Sequence, residues 1–418
     1  MIPYKSFTTE SGLRVIFNQD KSTPLVAVNL LYKVGAKHEN PDATGLAHLF
    51  EHLMFSSSKT FGSYDKVTER LGGESNAFTN NDFTNYYVTL PAEFFSHALA
   101  LEADRMYNLE LTQRNLDIQK GVVIEEFKQR YINQPYGDLW KEIRELAYKV
   151  HPYRWQTIGA DISHIENATL QQAREFYDRF YAPSNAVLAV SGNLKEEEVR
   201  EAVEKYFPKS KSSSGEIANY PSEPEQTENR TKTVYRDVPA NMICIMFPMS
   251  KRTEKEYYVQ DLLSDVLANG KSSRMYNDLV TERKLFTGIN ASITGEDDEG
   301  LFIVTGQYCD GTPVMEGEKA LWEELNLLTR EMVSEKELRK MKNKNEALST
   351  FEDIKILDKA MKIAYYSHLN MEEYINGERE IYNAITVEQL RNAAEKMFLK
   401  GKYSCLYYLK ENENGNKN

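Results

Sequence analysis

His48 and His52 stand four residues apart, and Glu51 immediately precedes the second of them. On a helix, side chains at that spacing share a face with their Cβ atoms ~6 Å apart, so two neutral imidazoles can hold one zinc ion. Glu51 lies on the same side without standing between the rings. A carboxylate placed there reaches a water on the metal without being a ligand itself. A single histidine on an apolar helix is commonly a hydrogen-bonded core residue. Two of only seven histidines in this spacing, with Glu between them, would arise by chance in on the order of 1% of such chains. The metal reading is therefore the one to carry forward.

The element that must present these groups runs from Thr44 to Phe55, T-G-L-A-H-L-F-E-H-L-M-F. Leu46, Leu49, Phe50 and Leu53 spread around its axis, which predicts a helix buried on most sides. Asn40 or Asp42 is expected to cap its start, with Pro41 in the first turn. Catalytic zinc commonly takes three protein ligands and a water. The third ligand is sought in Gln119–Phe127, Q-K-G-V-V-I-E-E-F, where Glu125 and Glu126 interrupt an apolar helix. Adjacent helical residues point ~100° apart, so only one can face a metal, and the pattern leaves both open.

The composition excludes several other chemistries. A net charge of −12, from 63 acidic and 51 basic residues, disfavours a phosphate-backbone partner. Hydrophobic residues at 41% and aromatic residues at 11% support packed cores. Cys244, Cys309 and Cys405 form no Cys-x-x-Cys pair, so neither a disulfide framework nor a cysteine zinc site is expected, and a reducing compartment fits. No apolar run is long enough for a membrane helix. The first residues lack the apolar core of a secretory leader, which predicts a cytoplasmic protein, or a periplasmic one had a leader been removed. Gly270-Lys271-Ser272-Ser273 lacks the first glycine of a phosphate-binding loop.

The chain divides near its middle. Pro208–Arg230 has linker composition, predicting a first domain over 1–210, a linker over 211–230 and a second domain over 231–418. Val67-Thr68-Glu69-Arg70 recurs as Val280-Thr281-Glu282-Arg283, and Asn76-Ala77 as Asn290-Ala291. Apolar strand candidates precede both copies, Leu25–Val34 and Met242–Met249, and strands, long helices and a closing helix–strand pair follow in the same order. The fold expected is α+β: two homologous domains, each a mainly antiparallel sheet with helices packed on one face. A polar tail begins at Glu411. Shifting the first half by the spacing of Pro24 to Pro239 sets His48, Glu51 and His52 opposite Leu263, Val266 and Leu267, so the second half is expected to be non-catalytic.

The helix T-G-L-A-H-L-F-E-H-L-M-F, followed by G-G-E-S-N-A-F-T and G-V-V-I-E-E-F, resembles the pitrilysin or insulysin family of zinc peptidases with the inverted motif H-x-x-E-H. It is most similar to the short, mitochondrial-processing-peptidase-like branch. The resemblance runs through His151-Pro152 and Ile158-Gly159 to Ser191-Gly192-Asn193-Leu194, and is weaker in the second half. It implies one zinc per chain on His48, His52 and Glu126, with Glu51 as general base. It also implies that Asn76, Ala77 and Phe78 form an edge strand that pairs with the substrate backbone. The activity implied is endoproteolysis of peptides or unfolded segments in an enclosed chamber. Two departures from the family pattern involve three positions. Gln119 stands where a second glutamate is usual, and Thr281 and Gly288 stand where the family has a substrate-binding Arg and Tyr. These departures predict a heterodimer with a homologous chain that supplies Arg and Tyr; a homodimer is the other arrangement, though a second copy brings the same Thr and Gly. They also leave an alternative function, a peptide-binding or assembly subunit without turnover. A zinc enzyme for non-peptide substrates is disfavoured by the peptide-pairing strand.

Overall fold

The computed structural model describes residues 1–209 and 220–411. Its first sheet contains β1 (Lys5–Thr8), β2 (Arg14–Gln19), β3 (Leu25–Tyr32), β4 (Glu74–Thr79), β5 (Thr84–Pro91) and β6 (Ala186–Gly192), in the order β1-β2-β6-β3-β5-β4. Strands β2 and β6 are parallel and the other neighbours antiparallel. The second sheet contains β7 (Arg230–Arg236), β8 (Met242–Pro248), β9 (Phe286–Ile293), β10 (Leu301–Tyr308) and β11 (Ser404–Lys410), in the order β7-β11-β8-β10-β9. Here β7 and β11 form the parallel pair. With β1 set aside, the two sheets share one topology, first-fifth-second-fourth-third, with the parallel pair in the same place. The short V-T-E-R repeat thus marks a repeat of the whole fold. Strands β4 and β9 are the equivalent outer edges.

The run Leu25–Tyr32 is apolar at every position but Asn29 because β3 is covered on both faces. On one face, Tyr32 and Tyr86 meet Tyr181, and the Tyr86 hydroxyl donates to the Phe50 carbonyl of the Leu46–Leu53 helix. On the other, Ala27 and Leu31 join Ile16, Val187 and Ala189 in a core with Ile356, Ala360, Ile363 and Ala364 of the Ile356–His368 helix. The second sheet is built likewise. Phe247, Phe302 and Phe398 pack on one face. Ile143, Leu146 and Ala147 of the Leu139–Ala147 helix pack against Val234, Cys244, Met246 and Leu406 on the other. The expected sheet-and-helix layers are present, and each sheet carries a further helix on its opposite face, contributed by the other half of the chain.

The compact units reflect this exchange. One comprises Met1–Lys128, Trp155–Pro221 and Ser349–Asn376; the other comprises Gln129–Arg154, Ser222–Leu348 and Gly377–Asn418. The divisions 1–210 and 231–418 differ from these units by the exchanged segments, because strands apolar on both faces must be covered wherever the covering helix lies in sequence. Residues 211–219 of the expected linker and 412–418 of the tail lie outside the described residues. The rest of the linker is anchored rather than free. The Tyr220 ring stands 6.1 Å from that of His38, and Glu223 accepts the backbone amides of Lys149, Val150 and His151. β7 begins at Arg230, one residue earlier than the expected domain start.

Candidate metal centre

The histidine helix spans Leu46–Leu53, inside the predicted stretch, and buries Leu46, Ala47, His48, Leu49, Phe50 and Leu53. Phe50 stacks on Phe176 and Tyr181, fixing the rear of the helix. Its start is not capped as expected. Gly45 occupies the N-cap position with φ +91°, and a Cβ there would come within 2.7 Å of the Ile158 carbonyl oxygen and the Ile165 side chain. Only glycine satisfies both constraints. Having no side chain, Gly45 cannot serve the first amides, and Asn40 is occupied in accepting the Asp42 amide. Glu39 does the capping instead: its two carboxyl oxygens accept the Gly45 and Ala47 amides, each at 2.8 Å. Burial pushes the Glu39 carboxyl up to about 8, against those hydrogen bonds and one from Trp155 that pull it down.

The Gln113–Phe127 helix is capped by the Thr112 hydroxyl, which accepts the Asn115 amide. Its two adjacent glutamates face different ways. Glu125 is 66% exposed and pairs with Lys128 at 2.7 Å. Glu126 turns inward, its Oε2 lying 3.6 Å from His48 Nε2 and 3.3 Å from His52 Nε2. One ligand atom from each of His48, His52 and Glu126 lies within 4.8 Å of the others. Donor atoms on a tetrahedral zinc at ~2.0–2.1 Å stand about 3.3 Å apart. The two imidazoles and the carboxylate are thus spaced and typed for that ion. The imidazole planes are crossed at 84°, so the two rings do not stack.

Glu51 lies on the same helix, and its Oε2 accepts the Thr79 hydroxyl at 2.6 Å. Thr79 ends β4, so the edge strand and the histidine helix meet at this carboxylate. The pairing of Asn76 with Tyr87, Ala77 with Tyr86 and Phe78 with Asn85 places all three predicted edge residues on β4. Ala77 and Thr79 share the helix-side face; Asn76 and Phe78 take the opposite one. Gln119 Nε2 donates to Ser56 Oγ at 3.3 Å, just past the end of the histidine helix. In the second unit, Thr281 lies in the π-helical turn Tyr276–Glu282 and Gly288 on β9, where an added Cβ would meet nothing within 4 Å. Sequence reasoning missed Glu39 and Thr79. The signal for Thr79 was its place at the end of the quoted N-A-F-T run; Glu39 had none, being six residues from the cap it serves.

A model of the insulinase family (peptidase family M16) matches residues 14–160, and one described as the peptidase M16 inactive domain matches residues 167–345. The chain is 31% identical over 349 residues to the zinc protease PqqE of Helicobacter pylori, covering 81% of this chain and 78% of that protein. It is 23% identical over 402 residues to a Bacillus subtilis protein named as the uncharacterized zinc protease YmxG, covering 94% and 95%. A crystal structure of a protease from Helicobacter pylori superimposes with a TM-score of 0.92 at 28% identity, over 98% of this chain and 100% of that one.

Proposed function

This chain belongs to the insulinase family of peptidases, M16, and from that premise we propose that it is a zinc-dependent endopeptidase for peptides or unfolded protein segments. The observation that carries the reading is the convergence of His48 Nε2, His52 Nε2 and a Glu126 oxygen within 4.8 Å, with Glu51 one residue before the second histidine. A zinc ion there would supply Lewis acidity toward the scissile carbonyl and bring a water's pKa toward neutrality. Glu51 takes the proton that the attacking water loses and delivers it to the leaving amine. The Thr79 hydroxyl holds that carboxylate in place. A substrate strand pairing along Asn76, Ala77 and Phe78 is carried past Glu51, because β4 ends at the residue that binds it.

Thr281 and Gly288 supply neither a guanidinium fork nor a phenol to hold a substrate carbonyl. We assign that task to a homologous partner subunit with Arg and Tyr at these positions. The same two residues favour the second reading, a peptide-binding subunit without turnover. One experiment separates the two. The purified chain, alone and mixed with such a homologue, is given an unfolded peptide, and cleavage is followed with chelator, with zinc restored, and in Glu51→Gln. Chelator-sensitive hydrolysis that rises more than additively with the partner, and that Glu51→Gln abolishes while retaining one zinc, is the expected result. Zinc binding without hydrolysis in any mixture leaves the assembly role; hydrolysis that survives Glu51→Gln refutes the assignment of the base.

A further inference from the structure

We propose that Glu39 is a positioning residue for the metal centre: by holding the Gly45 and Ala47 amides, it fixes the backbone from which His48 projects and so sets the separation of the two histidine donors. The inference rests on the zinc reading above and adds to it a residue that touches no ligand atom.

The first amides of a helix have no partner within it, and a side chain at the N-cap usually serves them. That solution is closed here. Gly45 must remain glycine, because of its positive φ and because the Ile158 carbonyl and Ile165 side chain occupy the space of a Cβ. Glu39 is 6% exposed, so water cannot readily replace it. Its two oxygens bind the amides on either side of Leu46, and Ala47 is the residue directly before His48. The two histidines are anchored differently. His52 follows Phe50, whose ring is stacked in the aromatic core with Phe176 and Tyr181. His48 lies in the first turn, where the Glu39 bridge and a contact of Thr44 with His164 Nδ1 at 2.8 Å hold the entering chain. Loosening the first turn therefore moves one donor relative to the other, rather than moving both together. A metal site tolerates displacements of only ~0.5 Å before affinity falls.

The test is metal binding by the full chain. Gln at position 39 keeps the shape but presents an NH2 donor to one of the two amide donors. Residues that orient ligands without touching the metal typically change affinity ~10–100-fold. Glu39→Gln should therefore raise the zinc dissociation constant at least tenfold, measured by competition with a chromophoric chelator. It should also shift the visible absorption of the cobalt-substituted protein, which reports ligand geometry. Leu99→Ala, a cavity in the Phe95–Asn108 helix, destabilises the same unit and should leave both readouts at wild-type values. If Glu39→Gln does not fold, Glu39→Asp carries the test. One methylene shorter, it cannot span both amides, and an intermediate loss is expected. Wild-type zinc affinity and an unchanged cobalt spectrum in the glutamine variant, or in the aspartate variant where that is the folded one, overturn the proposal. A wild-type chain that takes up neither zinc nor cobalt overturns the metal reading itself, which is a different and recognisable outcome.

Discussion

Replacing Thr79 by Val tests whether the edge strand acts on the chemistry through Glu51. Valine keeps the β-branched shape that suits β4 and removes only the hydroxyl that donates to Glu51 Oε2 at 2.6 Å. A hydrogen bond to a charged group contributes ~1.5–3 kcal/mol. At ~1.4 kcal/mol per factor of ten in rate, its loss corresponds to roughly a 10- to 100-fold fall in turnover. The lower end applies, because Thr79 is only half-buried and water can take part of the hydroxyl's place. Steady-state cleavage of a fluorogenic unfolded peptide, in the assembly that gives turnover, should show kcat down about tenfold with KM little changed. Zinc content should stay at one per chain, since Thr79 contacts no ligand. The decisive measurement is the double-mutant cycle. If Thr79 acts by holding the base, Thr79→Val should cost almost nothing further in Glu51→Asp, which keeps a carboxylate but draws it back from the hydroxyl, giving a coupling energy of ~1–2 kcal/mol. Two effects that simply multiply, or loss of zinc from Thr79→Val, would refute the reasoning.

Glu126→Gln should lower zinc affinity by more than the ~100-fold ceiling for a supporting residue, whereas Glu125→Gln should leave it unchanged; equal effects in a chelator titration would remove the distinction drawn from their orientations. In the second unit, hydrogen bonding from Arg274, against partial burial, holds the Glu337 carboxyl down from 4.5 to about 2. A lowered folded-state value contributes stability above the unfolded pKa and loses it as pH falls toward the folded one. Glu337→Gln should therefore destabilise by ~1 kcal/mol at neutral pH after solvent screening, and the difference should close as pH falls from 4.5 toward 2; a pH-independent difference in denaturant titrations would contradict this. Residues 1–221 expressed alone lack the Ile356–His368 helix and should expose Ile16, Ala27, Leu31, Val187 and Ala189, giving dye binding and self-association. A monomeric fragment that unfolds cooperatively and binds no dye would show that this face needs no such cover.

The juxtaposition of the two histidines with Glu51 beside them is legible in the sequence because its signal is local. His48, Glu51 and His52 lie within five residues, and helical periodicity alone puts the two rings on one side. Strand candidates such as Met242–Met249 are legible for the same reason, and the structure keeps that strand over Met242–Pro248. What the residues could not decide depends on packing between segments distant in sequence. Glu125 and Glu126 are chemically identical, and only the docking of their helix against the histidine helix turns one to the donors and leaves the other beside Lys128. Asn40 and Asp42 satisfy the usual capping rule, which looks immediately upstream; the left-handed turn at Gly45 brings Glu39 into range instead. The segments exchanged between halves are the clearest case. Leu139–Ala147 and Ile356–His368 are amphipathic in sequence, but nothing in an amphipathic pattern names the sheet that will receive it.

The internal repeat shows how one backbone address serves either packing or chemistry. In each half a helix follows the second strand of the shared topology: Leu46–Leu53 after β3, Lys255–Ala268 after β8. Where the first carries His48, Glu51 and His52, the second carries Leu263, Val266 and Leu267, none more than 2% exposed. Apolar side chains there need no cap from a remote acid, no facing carboxylate and no threonine on the edge strand, and the second helix simply completes a core. The first helix keeps only one flank for the core, through Leu49, Phe50 and Leu53, and gives the other to groups that must be held at set distances. That division explains why the supports cluster around it. Gly45 admits the close approach of the Ile158 loop, Glu39 ties down the first turn, and Thr79 ties Glu51 to β4. Each holds in place a group that apolar packing alone would not.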